Sequence, residues 1–318
     1  MVVPRRLLVI TNADAGTADE AARDEALDVL RAGADVTVAA TSSPDELDDV
    51  LTNLEDRTVV VVGGDGSLHA VVAALHRQRT LTTTVLGLVP LGTGNDFARA
   101  LDIPLEPAAA ARVVLTGPDR PLDLIVDEHD DITVNSVHAG AGAAAGERGA
   151  RWKERLGAIG VGRVNLGKLG YPIGALQTAL NPRGLRVRVE VDGTVVSDVD
   201  TEILMVVVGN GTSVGGGAEL TPEARTGDGL LDVVVAKPAG VADRLALALR
   251  VPFGTHQDHR TVEALRGRSV TVTGGPFRCN SDGEIGGPVR SRTWEVRPAA
   301  YRMIVPAGQE SESGHPAH

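Results

Sequence analysis

Aromatic side chains are scarce, at 2% of 318 residues, so any core must be assembled from Val, Leu, Ile and Ala. Cysteine is scarcer still. Cys279 stands alone, which excludes an internal disulfide and a cysteine zinc cluster and fits a reducing, cytoplasmic setting. No uninterrupted apolar run approaches the roughly 20 residues needed to cross a bilayer. The apolar stretch after Arg5 and Arg6 is interrupted at Asn12 and Asp14, too early for a signal peptide. Positive charge is also short: 31 Lys and Arg against 42 Asp and Glu leave a net charge of −11. That excludes general nucleic-acid binding, because a phosphate backbone would be repelled.

What remains is an ordinary globular composition, 42% hydrophobic and 23% charged, in a chain long enough for two domains. RRLLVITNADAG, VTVAAT, TVVVV and TVLGLVP read as strands, and ADEAARDEALDVLRAG, SPDELDDVLTNL, LHAVVAALHRQ and EPAAAARVVLTG as helices between or after them. This alternation predicts a parallel sheet covered by helices over residues 1–122, with ligands beyond the carboxyl ends of its strands. TNADAG, GGDGS and PLGTGND all fall on that rim. After GPDRP the texture changes to alternating or Val-rich strands parted by turns, which predicts a mainly antiparallel β-sandwich over 123–298. The 299–307 segment is expected to pack back on the first domain. The polar tail from Gly308 is expected to be disordered.

The glycine loops carry the chemistry. GGDGS has no lysine to meet a phosphate and is not a P-loop, and from Gly64 the run GDGSLH places His69 where a dinucleotide fingerprint needs its third glycine. Taken alone it reads equally well as a strand–helix turn in which Asp65 ends the strand. In PLGTGND, Gly92 and Gly94 allow close backbone approach and Thr93 offers a hydroxyl, while Asp96 is expected to N-cap the DFARAL helix. The role of Asn95 stays open between loop structure and ligand contact. SDGEIGG reads on its own as a hairpin turn with exposed acids. His69 with His76, and His256 with His259, form no convincing metal site.

Together, GGDGS–LHAVVAAL and PLGTGNDFARAL resemble the signature motifs of the diacylglycerol kinase catalytic-domain family, which includes bacterial lipid kinases and sphingosine kinases. TNADAG, NSVHAGAGAAA, GNGTSVGGGAELTPEARTGDGLLDVVV and SDGE are similar to further family segments in the same order, so the likeness covers nearly the whole chain.

The resemblance implies an ATP- and Mg²⁺-dependent lipid kinase that transfers a phosphoryl group to a lipid hydroxyl. It places the nucleotide on Asn12, Ala13, Asp14, Ala15 and Gly16, on Thr41, on Gly63, Gly64, Gly66 and Ser67, and on Gly92, Thr93, Gly94 and Asn95. Asp65 then organises the metal, Glu284 is the general base, and Asp282 supports it. A second, structural metal is expected at Asp228 with the backbone carbonyls of Leu230 and Arg225, oxygen donors suited to a hard cation.

The chain departs from the family pattern at several places. Ala13 follows Asn12, no basic residue follows the first loop, and Ala70 stands where glutamate is frequent. Ala141 and Gly142 replace an aromatic and an acid, and Gly227 precedes Asp228 where the family often has two adjacent acids. The alternatives are a non-catalytic lipid- or nucleotide-binding protein on the same fold, and an NAD kinase-like enzyme.

The basic cluster Arg148, Arg151, Lys153, Arg155, Arg163 and Lys168, with Trp152, reads equally as a surface for anionic lipid head groups or as a solvated helix face. Transient contact with the inner face of the membrane is the matching expectation. The acceptor lipid and a homodimer are left open.

Overall fold

The computed structural model describes residues 5–13, 17–140, 184–238, 240–250 and 254–308. Asp14, Ala15 and Gly16 lie outside the described residues. So do the basic cluster at 148–168, the helical patterns at 148–156 and 171–180, the glycine segment beyond Gly140, and the tail from 309.

The first half is the expected parallel sheet. Strands β1 (Arg6–Asn12), β2 (Asp35–Thr41), β3 (Thr58–Gly63) and β4 (Val85–Pro90) lie in the order β2–β1–β3–β4, all parallel. The four valines of β3 are buried, as a strand covered on both faces requires. Helices α1 (Thr17–Gly33), α2 (Pro44–Leu51), α3 (Asp65–Arg77), α4 (Asp96–Ala100) and α5 (Pro107–Thr116) complete this half. Helix α3 buries Leu68, Val71, Val72 and Leu75, the 3–4 spacing of one helical face.

The second half is antiparallel. Strands β5 (Asp119–Asp127) and β6 (Ile132–Thr133) pair with each other, and β7 (Ser136–Gly140), β8 (Val187–Val191), β9 (Thr194–Ser197) and β10 (Met205–Gly209) follow. A short pair, β11 (Ser213–Val214) and β12 (Ala218–Glu219), leads to β13 (Leu231–Ala236), α6 (Val241–Arg250) and β14 (Val262–Gly267). The long hairpin β15 (Ser269–Ser281) and β16 (Glu284–Ile304) closes the fold.

Two strands join the halves. On β5, Leu122, Leu124 and Val126 enter the first core, while Ile125 faces the second. On β16, Trp294 and Val296 belong to the second core and Tyr301 and Met303 to the first. The β5–β16 register shifts between Arg297 and Tyr301, an irregularity of the kind that bends a strand. The end of β16 pairs parallel with β4 through Arg302 and Met303. No linker falls at 122/123, because that point lies inside β5.

Candidate functional site

Helix α3 begins at Asp65 itself, three residues earlier than the hydrophobic pattern alone indicates, so Gly66 and Ser67 lie in its first turn. Its N-cap is Gly64, and no side chain caps it. The first-turn N–H groups are therefore left for a ligand or water. A Cβ on Gly66 would meet nothing within 4 Å, so open space lies over that turn. Gly64 has a different reason to be glycine: its Cβ would come within 2.9 Å of the Gly92 Cα, and a Cβ on Gly92 within 2.6 Å of the Gly64 Cα. The two glycine loops touch backbone to backbone.

Asp65 locks that contact. Its Oδ2 and Oδ1 accept from the backbone N–H groups of Asp96 and Phe97, at 3.0 and 3.1 Å. It thus caps α4 from outside, where helix-end charge favours an anion. Burial raises its pKa, assisted by the charges of Asp96 and Asp282 and opposed by the two backbone hydrogen bonds. Asn95 shapes its own loop: its amide accepts from Gly92 N at 2.9 Å and donates to Gly92 O at 2.7 Å. It is also the N-cap position of α4, in the left-handed region with φ 53°.

Asp96 is therefore not the cap that the sequence pattern predicts. Its carboxylate crosses to the second half, accepting from Ser213 Oγ at 3.2 Å, Gly216 N at 2.9 Å and Gly217 N at 2.8 Å. Gly216 and Gly217 hold φ at 95° and 104°, a conformation that turns successive N–H groups inward into an anion nest. The GGG of the long family motif thus grips a side chain of this chain itself.

A second nest receives Asp282. The β15–β16 turn is a two-residue hairpin of Asp282 (φ 50°) and Gly283 (φ 104°), with Ser281 paired to Glu284. The Asp282 side chain is only 3% exposed. It accepts from the N–H groups of Val134 (2.6 Å), Asn135 (2.9 Å) and Ser136 (3.1 Å) and meets His69 Nδ1 of α3 at 2.9 Å. Glu284 stands beside this cluster, exposed, and makes no side-chain hydrogen bond with the described residues.

The remaining predicted nucleotide positions sit on the same rim. Asn12 and Ala13 are exposed at the end of β1, Ala13 N donates to Thr41 O at 3.1 Å, and Thr93 is exposed between its glycines. Arg99, which the sequence reading passed over, is exposed beside the second loop, with Nε 3.4 Å from Gly94 O.

The Asp228 region is built differently. Asp228 pairs with Arg266 of β14 and accepts from Leu230 N at 3.1 Å. The Arg225 carbonyl accepts from Gly227 N at 2.9 Å. Asp232 lies 3.4 Å from Arg266 Nε and leaves its buried Oδ2 without a partner. Burial pushes its pKa up to about 6, against the opposing charge of Arg266. Asp123, 1% exposed, accepts from Gly229 N at 2.6 Å and Ala299 N at 2.9 Å, tying this turn to the β16 irregularity. Its only sequence signal was an acid inside an apolar strand. Donor chemistry here suits a hard cation, but Arg266 already satisfies Asp228. Among the described residues no group of three or more His, Cys, Asp or Glu is arranged as a metal cage.

Comparison with known proteins completes the picture. Residues 6–126 match the diacylglycerol kinase catalytic domain, and residues 135–305, more than half of the chain, match the YegS C-terminal NAD kinase beta sandwich-like domain. The chain belongs to the diacylglycerol kinase catalytic-domain family. Within that family, the "Probable lipid kinase YegS-like" of Xanthomonas campestris pv. campestris (strain 8004) is 34% identical over 78% of this chain and 77% of its own length. The "Diacylglycerol kinase" of Bacillus subtilis (strain 168) is 31% identical over 72% of this chain and 71% of its own. A crystal structure of a diacylglycerol kinase from Bacillus anthracis str. Sterne shares the fold, with TM-score 0.71, 19% identity, and coverage of 96% of this chain and 99% of that one. No helix among the described residues is long and apolar enough to cross a membrane.

Proposed function

We propose that this protein is an ATP- and Mg²⁺-dependent lipid kinase that phosphorylates a lipid hydroxyl such as that of diacylglycerol. The observation that carries the reading is the pair of apposed glycine loops. The uncapped first turn of α3 and the open space over Gly66 suit a phosphate chain at a helix N-terminus. The loops at Gly63–Ser67 and Gly92–Asn95, with Asn12, Ala13 and Thr41, hold the nucleotide, and Asp14, Ala15 and Gly16, outside the described residues, are assigned to the same site by sequence.

Each Asp65 oxygen accepts one N–H, which leaves lone pairs to orient a cation directly or through water. The magnesium ion, when bound with ATP, supplies charge neutralisation for the transferred phosphoryl group. Glu284 accepts the acceptor hydroxyl's proton as the new O–P bond forms and the bond to the departing ADP oxygen breaks. Its exposure and its lack of a side-chain hydrogen bond among the described residues support that assignment.

Residues 1–122 then serve the nucleotide and 123–298 the acceptor, which is met at the membrane surface from the cytoplasm. A second cation at Asp228, with the Leu230 and Arg225 carbonyls, has to displace Arg266 to bind.

Labelled ATP, Mg²⁺ and a panel of lipid alcohols in mixed micelles test the proposal. Label entering one lipid, and lost in Asp65→Asn and Glu284→Gln, is the expected result. Nucleotide binding with no labelled lipid favours a binding protein instead.

A further inference from the structure

Two histidines lie near Asp282, and their surroundings shift them in opposite directions. His138 of β7 lies behind it, fully buried, with Nε2 2.9 Å from Ser136 Oγ. Burial pushes its pKa down to about 4, so it is neutral near pH 7. His69 of α3 lies in front, half-buried, with Nδ1 on Asp282 Oδ2. Burial opposes its charge, but the Asp282 hydrogen bond and the charges of Asp282 and Glu284 outweigh it and raise its pKa. The Asp282 carboxylate thus has one imidazole partner and three backbone donors.

The placement gives that partner a task. Asp65 and His69 are i and i+4 on α3, one turn apart on one face. Asp65 fastens α3 to the second glycine loop, and His69 fastens it to the turn that begins the strand carrying Glu284. The other three contacts of Asp282 come from residues 134–136 of the second half. The His69 contact is the one that carries the position of that turn to the nucleotide loop.

We propose that His69 is a positioning residue: its imidazole, hydrogen-bonded to Asp282, pins the 281–284 turn to α3 and so sets Glu284 against the glycine loops. This rests on the reading of Glu284 as the base. In its protonated form His69 also offsets some of the negative charge of Asp65, Asp282 and Glu284 in a cleft that must receive phosphates, where this chain has no basic residue after its first loop.

The test uses the full-length protein, ¹⁵N-labelled, with its eight histidines followed by NMR across the neutral range. His69→Asn assigns the resonance and keeps a donor without a charge. His69 is expected to titrate above an ordinary imidazole, and Asp282→Asn to lower it, since burial is then opposed by the charge of Glu284 without that of Asp282. In the lipid-labelling assay, His69→Asn is expected to lower kcat on the order of 10-fold, to leave KM for ATP unchanged, and to remove the alkaline limb of the wild-type pH profile. His69→Ala is expected to lose more than His69→Asn.

An ordinary titration that ignores Asp282→Asn overturns the pair. A normal His69 shift with a wild-type kcat and pH profile in His69→Asn overturns the positioning role. If the wild type labels no lipid, the kinase reading fails, and with it the task assigned to His69, while the titration still decides whether the ion pair exists.

Discussion

Two acidic clusters among the described residues are neutralised by different means. In the cleft, Asp65, Asp96 and Asp282 are bound mainly by backbone N–H groups supplied by α4, the 215–217 glycines and residues 134–136. At the far turn, Asp228 and Asp232 share the guanidinium of Arg266. Backbone dipoles are fixed by the fold and cannot leave, so the first cluster is joinery between two halves. A side-chain counter-ion can swing away, so the second is exchangeable. Glu284, exposed and without a side-chain hydrogen bond among the described residues, belongs to neither cluster and is the acid proposed as the base.

The largest expected effect tests that assignment. Glu284→Gln should lower kcat for lipid phosphorylation by about 10²–10⁴-fold, the range for loss of a general base. Urea denaturation should find its stability unchanged, because the side chain is exposed. A stability loss with retained turnover would invert the assignment. Asp96→Ala should do the reverse in kind, costing about 3 kcal/mol in urea unfolding, since it orphans Gly216 and Gly217 N–H groups bound to a charged acceptor. Nucleotide-dependent stabilisation should fall with it, because the second glycine loop loses its anchor. An Asp96→Ala protein as stable as wild type would mean the GGG nest does not hold the halves together.

Much of this was legible in the chain. The Val-rich runs and glycine punctuation announce a parallel sheet followed by an antiparallel one, and TVVVV of β3 and LHAVVAAL of α3 fall where periodicity places them. The site was legible as loops but not as partnerships. Asp96 follows a glycine loop and precedes a helix, so a local cap is the economical reading. Its actual partners lie about 120 residues on, at Ser213, Gly216 and Gly217, a separation no local rule reaches. Asp123 was missed for the same reason, since its partners Gly229 and Ala299 come from two distant turns. His69 reads in the sequence only as half of a His69–His76 pair that forms no metal site, because its partner Asp282 is 213 positions away.

The exchangeable cluster carries the next two predictions. Asp232 has a folded pKa of about 6 against 3.8 as its ordinary value. Between those values the folded protein holds a proton that the unfolded chain has released, so stability falls as pH rises through that window and stays reduced above it. The reduction is at most about 3 kcal/mol, from about 1.4 kcal/mol per pKa unit. Asp232→Asn should flatten this part of the stability profile in urea titrations at successive pH values. An unchanged slope would place the titration elsewhere.

The smallest effect distinguishes fixed from exchangeable neutralisation directly. Arg266 occupies the Asp228 carboxylate that a divalent cation would use, so cation and guanidinium compete for one anion. Arg266→Met keeps the apolar stem length and removes the competitor. Without nucleotide, Mg²⁺ at ten times its dissociation constant for the variant should stabilise Arg266→Met by about 1.4 kcal/mol, read as a rise in thermal midpoint. Wild type should respond less, because Arg266 must first be displaced. Equal responses would show that the cation binds without contesting Arg266, and would move the site away from Asp228. No response in either protein would leave Arg266 as the sole counter-ion of the turn, and the contrast with the amide-bound cleft would then be one of donor type rather than of exchangeability.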